Sequence, residues 1–88
     1  MENINKELFV VGVCDIKSGY KRIHHLDEIK YAKVTYDALC KGAKSQGLDP
    51  NSIFIFPFPP DDEVVEKFKL TKSFLQWLNE EVKLIMTL

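Results

Sequence analysis

The C-terminal third of the chain places the strongest constraint on the fold. Residues 61–88 contain neither glycine nor proline, and their apolar side chains recur at alternating four- and three-residue steps. The series consists of Val64, Phe68, Leu75, Leu78, Val82 and Ile85, with Thr71 as its one polar position. This spacing is typical of a helix that buries one face. It fits either one long helix or two, and Thr71 as an N-cap favours two helices, over residues 61–69 and 72–87.

Two apolar, β-branched runs predict strands in the rest of the chain. Residues 8–14 form the first run, which suits a central strand covered on both faces. Residues 53–56 form the second, and Pro57 after it must end the pairing or lie on a sheet edge. Between them, a two-residue Ser18-Gly19 loop predicts a hairpin in which residues 20–25 return antiparallel, with Asp15 opposite Arg22.

A capped helix is predicted between the hairpin and the last strand. Asp27 is the expected N-cap, and Gly47 is placed to end the helix in the left-handed conformation. One apolar face recurs at helical spacing through Ile29, Ala32, Tyr36, Leu39, Cys40 and Ala43.

These elements predict one α+β domain over residues 1–88, with the order β-β-α-β-α-α and a small three-stranded sheet. Because residues 20–25, the helix and residues 53–56 form a β-α-β crossover, we expect the last strand to run parallel to one neighbour. The sequence therefore predicts a mixed sheet with helices packed on it.

Composition sets limits on the functions that this chain can have. The net charge of −1 argues against a main task of neutralising nucleic-acid phosphates. No apolar run approaches membrane-spanning length, and the first residues lack the pattern of a secretion signal, so we expect a cytoplasmic protein that does not enter membranes. Cys14 and Cys40 are expected to be reduced thiols.

Catalytic and metal-binding patterns are weak. His24 and His25 are adjacent in a predicted strand and point to opposite faces, so only one of them can join a cysteine at a metal. Because both cysteines lie in apolar runs, we expect burial to suppress the nucleophilic thiolate form of Cys14 and Cys40. The sequence predicts neither an enzyme nor a bound metal or cofactor.

The last helix carries more apolar surface than one contact requires. From Phe74 onward its apolar side chains cover an arc of about 200°. Glu81 lies inside this arc, either at the rim of the buried face or opposite a cation across an interface. The helix is either wedged between elements of its own chain or contacts a second molecule. The residues predicted to bind a partner on this helix are Trp77, Glu81, Leu84 and Leu88.

A second candidate surface is the tip of the predicted hairpin. Tyr20, Lys21 and Arg22, together with Lys17, combine an aromatic ring with positive charge. Such a tip is either merely solvated, or contacts an acidic protein surface, or holds single-stranded nucleic acid.

We therefore expect a non-enzymatic inhibitor or adaptor, of the short accessory kind found in bacteria and their phages. It would bind a protein partner, or itself as a homodimer, through the last helix and the hairpin tip. The alternative is a nucleic-acid-binding accessory protein that uses the basic hairpin, residues 17–22.

Overall fold

The computed structural model describes residues 7–87 and contains three strands and three α-helices in the order β-β-α-β-α-α. Both the predicted α+β class and the predicted order are confirmed. The elements are strand β1 (Leu8–Asp15), strand β2 (Tyr20–Asp27), helix α1 (Ile29–Gly42), a 3₁₀ turn (Pro50–Ser52), strand β3 (Ile53–Phe58), helix α2 (Asp62–Phe68) and helix α3 (Lys72–Met86). No helix within the described part of the chain is long and apolar enough to cross a membrane.

The sheet has the strand order β2-β1-β3, so β1 is the central strand as predicted. The prediction of a mixed sheet is wrong, because β1 pairs antiparallel with both neighbours. Strands β2 and β3 do point the same way, as the crossover through α1 requires, but β1 lies between them and no parallel ladder forms. Pro57 pairs with Phe9 on the edge strand β3, one of the two positions expected for it.

The hairpin register differs from the predicted one. Its loop has four residues, 16–19, because the Asp15 carboxylate accepts hydrogen bonds from the Lys17 N–H at 3.1 Å and the Ser18 hydroxyl at 2.8 Å. Gly19, at φ 78°, completes the turn. Arg22 consequently faces Val13 rather than Asp15.

A β-bulge interrupts the pairing of β1 with β2. Gly12 faces Ile23 and Val11 faces His25, which leaves His24 as an extra residue on β2. The bulge shifts the pairing by one residue, so His25 lies on the sheet face of Val11 rather than on the face of Gly12.

Helix α1 does not begin at the predicted N-cap, but the predicted glycine does end the segment that follows it. Its N-cap is Glu28 rather than Asp27, because Asp27 still belongs to β2 and its carboxylate accepts a hydrogen bond from the Glu28 N–H at 2.7 Å. Beyond the regular helix, Gly47 takes the predicted left-handed conformation at φ 73°, and the Leu48 N–H donates to the Ala43 carbonyl at 2.8 Å.

Two buried clusters lie on opposite faces of the sheet. Val10 and Val13 are three residues apart on β1, so their side chains point to opposite faces. One cluster joins Val10 and Phe56 to α3 through Leu78 and Val82. The other cluster joins Val13 and Ile53 to Ala43 and the apolar face of α1. The sheet is thus covered by α3 on one side and by α1 on the other.

The C-terminal segment forms two helices, as predicted. Asp61 caps α2 by accepting a hydrogen bond from the Val64 N–H at 2.9 Å. Lys69 ends α2 in the left-handed conformation at φ 54°. Thr71 then caps α3 by accepting from the Phe74 N–H at 3.1 Å. The break lets α3 lie along the sheet while α2 lies beside β3.

Candidate protein-binding surface

Helix α3 presents a stripe of side chains beside its buried face. Leu78 and Val82 point into the core, whereas Trp77, Glu81 and Leu84 follow one another at four- and three-residue steps along the flank. We call these three residues the α3 stripe. Trp77 and Glu81 are half-buried, and Leu84 is 61% exposed. Leu88, the fourth residue predicted for this surface, lies outside the described residues.

Lys21 connects the hairpin to the α3 stripe. Its Nζ lies over the Trp77 ring, 5.3 Å from the ring centroid, which is within the range of a cation–π interaction. Lys21 reaches this position because it pairs with Cys14, whose side chain shares a sheet face with Val10 and α3. The structure thus brings together two surfaces that the sequence suggested separately.

The remaining hairpin residues do not join this surface. Tyr20 and Arg22 alternate with Lys21 along β2 and therefore point to the α1 side of the sheet. Tyr20 is 42% exposed and Arg22 is also exposed. The structure divides the predicted basic and aromatic tip between the two faces of the sheet.

Two polar groups in the α3 stripe have no protein partner among residues 7–87. Within this range no cation lies at ion-pair distance from the Glu81 carboxylate, and no acceptor is within hydrogen-bond distance of the Trp77 indole N–H. Trp77 itself is held in place by Lys21 on one side and by the Phe74 ring, whose centroid is 5.5 Å away. A fixed aromatic ring whose N–H has no acceptor among residues 7–87, one turn from a carboxylate without a partner in the same range, suits a specific contact with another molecule.

The wide apolar arc of α3 is only partly covered by the chain itself. Its first turns pack on the sheet through Phe74, Trp77 and Leu78. In its last turns Leu84, Ile85 and Met86 are all exposed. The part of the arc that needs a second partner therefore lies at the C-terminal end of α3.

Cys14 and His24 on the sheet have pKa values shifted from their ordinary ones. Burial raises the pKa of the Cys14 thiol, an effect that the positive charge of Lys21 opposes. Burial, followed by the charge of Arg22, lowers the pKa of His24. In the described part of the chain, no three histidine, cysteine or carboxylate side chains are grouped as a metal site would require.

A groove beside the edge strand β3 was not expected from the sequence. It has a volume of about 780 Å³ and lies between β3 and α2. Phe9, Ile55 and Pro57 line it together with carboxylates from the start of α2. The acidic run at residues 61–63 is visible in the sequence, but its position beside an apolar floor depends on the pairing of β1 with β3.

No protein-family model, curated protein or solved structure matches this chain. Function is therefore inferred from the α3 stripe and Lys21.

Proposed function

We propose that this protein is a non-enzymatic inhibitor or adaptor that binds a protein partner, or a second copy of itself, through the α3 stripe and Lys21. The contact between Lys21 and Trp77 carries the proposal, because it joins the hairpin and α3 into one surface. The proposal retains a cytoplasmic location and a bacterial or phage accessory role.

The composition of this surface is that of a protein-binding site. Tryptophan is enriched among the residues that contribute most to binding, especially where neighbouring side chains exclude water from it. Trp77 is fixed by Phe74 and Lys21, so little conformational entropy is lost when it is covered. Covering the exposed Leu84 side chain would contribute about 1 to 2 kcal/mol.

The charges on the surface define the chemistry of the partner. Lys21 offers a cation at the level of Trp77, and Glu81 offers a carboxylate between Trp77 and Leu84 along α3. A complementary surface would have apolar side chains to cover Trp77 and Leu84, with a carboxylate and a cation in positions that match Lys21 and Glu81. A small molecule with only an acidic or only a basic group would pair with one of these two charges and leave the other unpaired.

Site-specific photo-crosslinking in the native host cell tests the proposal. A benzophenone amino acid at position 84 should form a covalent adduct with a protein partner. The same amino acid at position 34 is the matched control, because Val34 is 67% exposed on α1, on the other side of the sheet. Equal adduct formation at both positions, or none at position 84, would contradict the proposal.

The nucleic-acid alternative has its own measurement. If the hairpin held single strands, Tyr20→Ala combined with Lys21→Glu would weaken binding of labelled oligonucleotides in fluorescence anisotropy. We expect neither the wild type nor the variant to bind at physiological salt. Binding by the wild type that the variant loses would favour the nucleic-acid role over the protein-binding role.

A further inference from the structure

We infer that the partner of the α3 stripe is the same stripe of a second copy, arranged antiparallel about a two-fold axis, with Lys21 of each copy facing Glu81 of the other. The inference rests on the proposed function and names the partner. It follows from the order of charges, the two polar groups of the α3 stripe and the apolar side chains along α3.

The order of charges along α3 is complementary to itself. The positive charge of Lys21 lies over Trp77. The negative charge of Glu81 lies four residues after Trp77, about 6 Å further along the axis of α3. When a second α3 runs antiparallel, each positive position lies opposite a negative one. A parallel arrangement in register would place like charges together and is disfavoured.

The same arrangement gives a partner to the Glu81 carboxylate and to the Trp77 indole N–H. A two-fold axis between residues 77 and 81 places the Trp77 ring of one copy beside Glu81 of the other. The Glu81 carboxylate then accepts from the indole N–H and lies near the Lys21 ammonium. Among the described residues, neither the carboxylate nor the indole N–H has a partner within its own chain. Covering both groups without this pairing would be costly, because buried polar groups need hydrogen-bond partners.

The apolar side chains also correspond across this axis. Leu84 of one copy lies at the level of Phe74 of the other when Trp77 lies opposite Glu81. Phe74 is half-buried at the beginning of α3, and Leu84 is exposed near its end. The exposed leucine of each copy therefore gains an aromatic ring that is already held in place by the core.

The size of the surface sets the expected affinity. Helix α3 has 15 residues and is about 22 Å long. One face of such a helix is smaller than the roughly 800 Å² per partner of a stable standard interface. We expect a reversible dimer with a dissociation constant in the tens of micromolar.

Charge-reversed variants test the arrangement by sedimentation equilibrium over micromolar to millimolar concentrations. Lys21→Glu and Glu81→Lys should each weaken dimerisation by at least about tenfold, because each places two pairs of like charges across the axis. An equimolar mixture of the two variants should recover the dimer, since both cross-axis pairs become opposite in charge. Lys33→Glu on the exposed surface of α1 should dimerise like the wild type.

The outcomes separate this inference from the proposed function. A wild type that stays monomeric at millimolar concentration, or a mixture that does not recover the dimer, overturns the two-fold arrangement. Crosslinks from position 84 to a different protein, with a monomeric wild type, would keep the proposed function and refute the dimer. Near-ultraviolet circular dichroism checks folding. If either variant is unfolded, Lys21→Gln and Glu81→Gln replace it, and each should weaken the dimer several-fold.

Discussion

Gly12 on the central strand faces Phe54 on β3, and the Phe54 ring occupies the space that a side chain at residue 12 would need. A Cβ added at Gly12 would lie 2.7 Å from the tip of that ring and would also meet the Arg22 carbonyl. Phe54 in turn stacks on Phe56, with ring centroids 5.0 Å apart. The glycine therefore allows an aromatic row to pack across β1 beneath α3.

Gly12→Ala should destabilise the fold by about 1 to 3 kcal/mol, because the added methyl group overpacks a site bounded by backbone and the half-buried Phe54 ring. Gly42→Ala is the matched control. A Cβ at Gly42 meets only the flexible Gln46 side chain at 3.4 Å, so this change should be neutral or stabilise by up to about 1 kcal/mol. Urea unfolding measures both, and equal effects at the two glycines would contradict this account of Gly12.

Thr71→Ala should cost about 1 kcal/mol in the free energy of unfolding, because the α3 N-terminus loses the hydrogen bond that the Thr71 hydroxyl accepts from the Phe74 N–H. Ser73→Ala tests the alternative that any hydroxyl in this turn contributes. Ser73 is exposed and its hydroxyl makes no hydrogen bond within the described residues, so its removal should change stability by less than about 0.5 kcal/mol.

Lys21→Met should shift the fluorescence emission of Trp77, since it removes the ammonium group that lies over the indole ring. Trp77 is the only tryptophan in the chain, so the signal reports this contact alone. Loss of the cation–π interaction should lower stability by about 0.5 to 1 kcal/mol. Lys17→Met, in the exposed loop of the same hairpin, should leave the spectrum unchanged. An unchanged spectrum for Lys21→Met would show that the Lys21 ammonium does not lie over the Trp77 ring in solution.

His24 should make the fold less stable in mild acid. Its pKa is lowered in the folded state by burial and by Arg22, so the unfolded chain binds the proton more readily. Its contribution is fully present above its ordinary pKa of 6.5 and is lost as the pH falls through the lower folded value. Thermal melts at pH 7.5 and pH 5.5 should show a smaller difference for His24→Asn than for wild type. An equal difference between the two pH values for His24→Asn and for wild type would contradict this role of His24.

The parts of the fold set by local signals could be predicted from the sequence. The two-helix arrangement depends on Asp61 and Thr71, whose side chains cap the N-termini of α2 and α3. The end of the α1 segment depends on Gly47 in the same local way. These signals act over a few residues, so they do not require knowledge of the tertiary structure.

The parts set by distant contacts could not be predicted. The bulge at His24, which reverses the faces of the residues after it, depends on how β2 pairs with β1. The four-residue hairpin loop is a local feature that the prediction missed, because the Asp15 carboxylate accepts its hydrogen bonds from residues only two and three positions later. The antiparallel sheet arises because β1 pairs with β3, although β2 and α1 separate these two strands in the sequence. The contact between Lys21 and Trp77 depends on both the hairpin register and the position of α3, so it could not be predicted. The sequence does indicate each of the two residues separately as a candidate for partner binding.

The bulge and Pro57 also limit how this protein can aggregate. Both outer strands of the sheet are interrupted, β2 by the extra residue His24 and β3 by a proline that has no N–H to donate. An incoming strand therefore finds no long, regular edge on which to form a ladder. Concentrated solutions of this protein should form small reversible assemblies through side chains and should not seed fibrils.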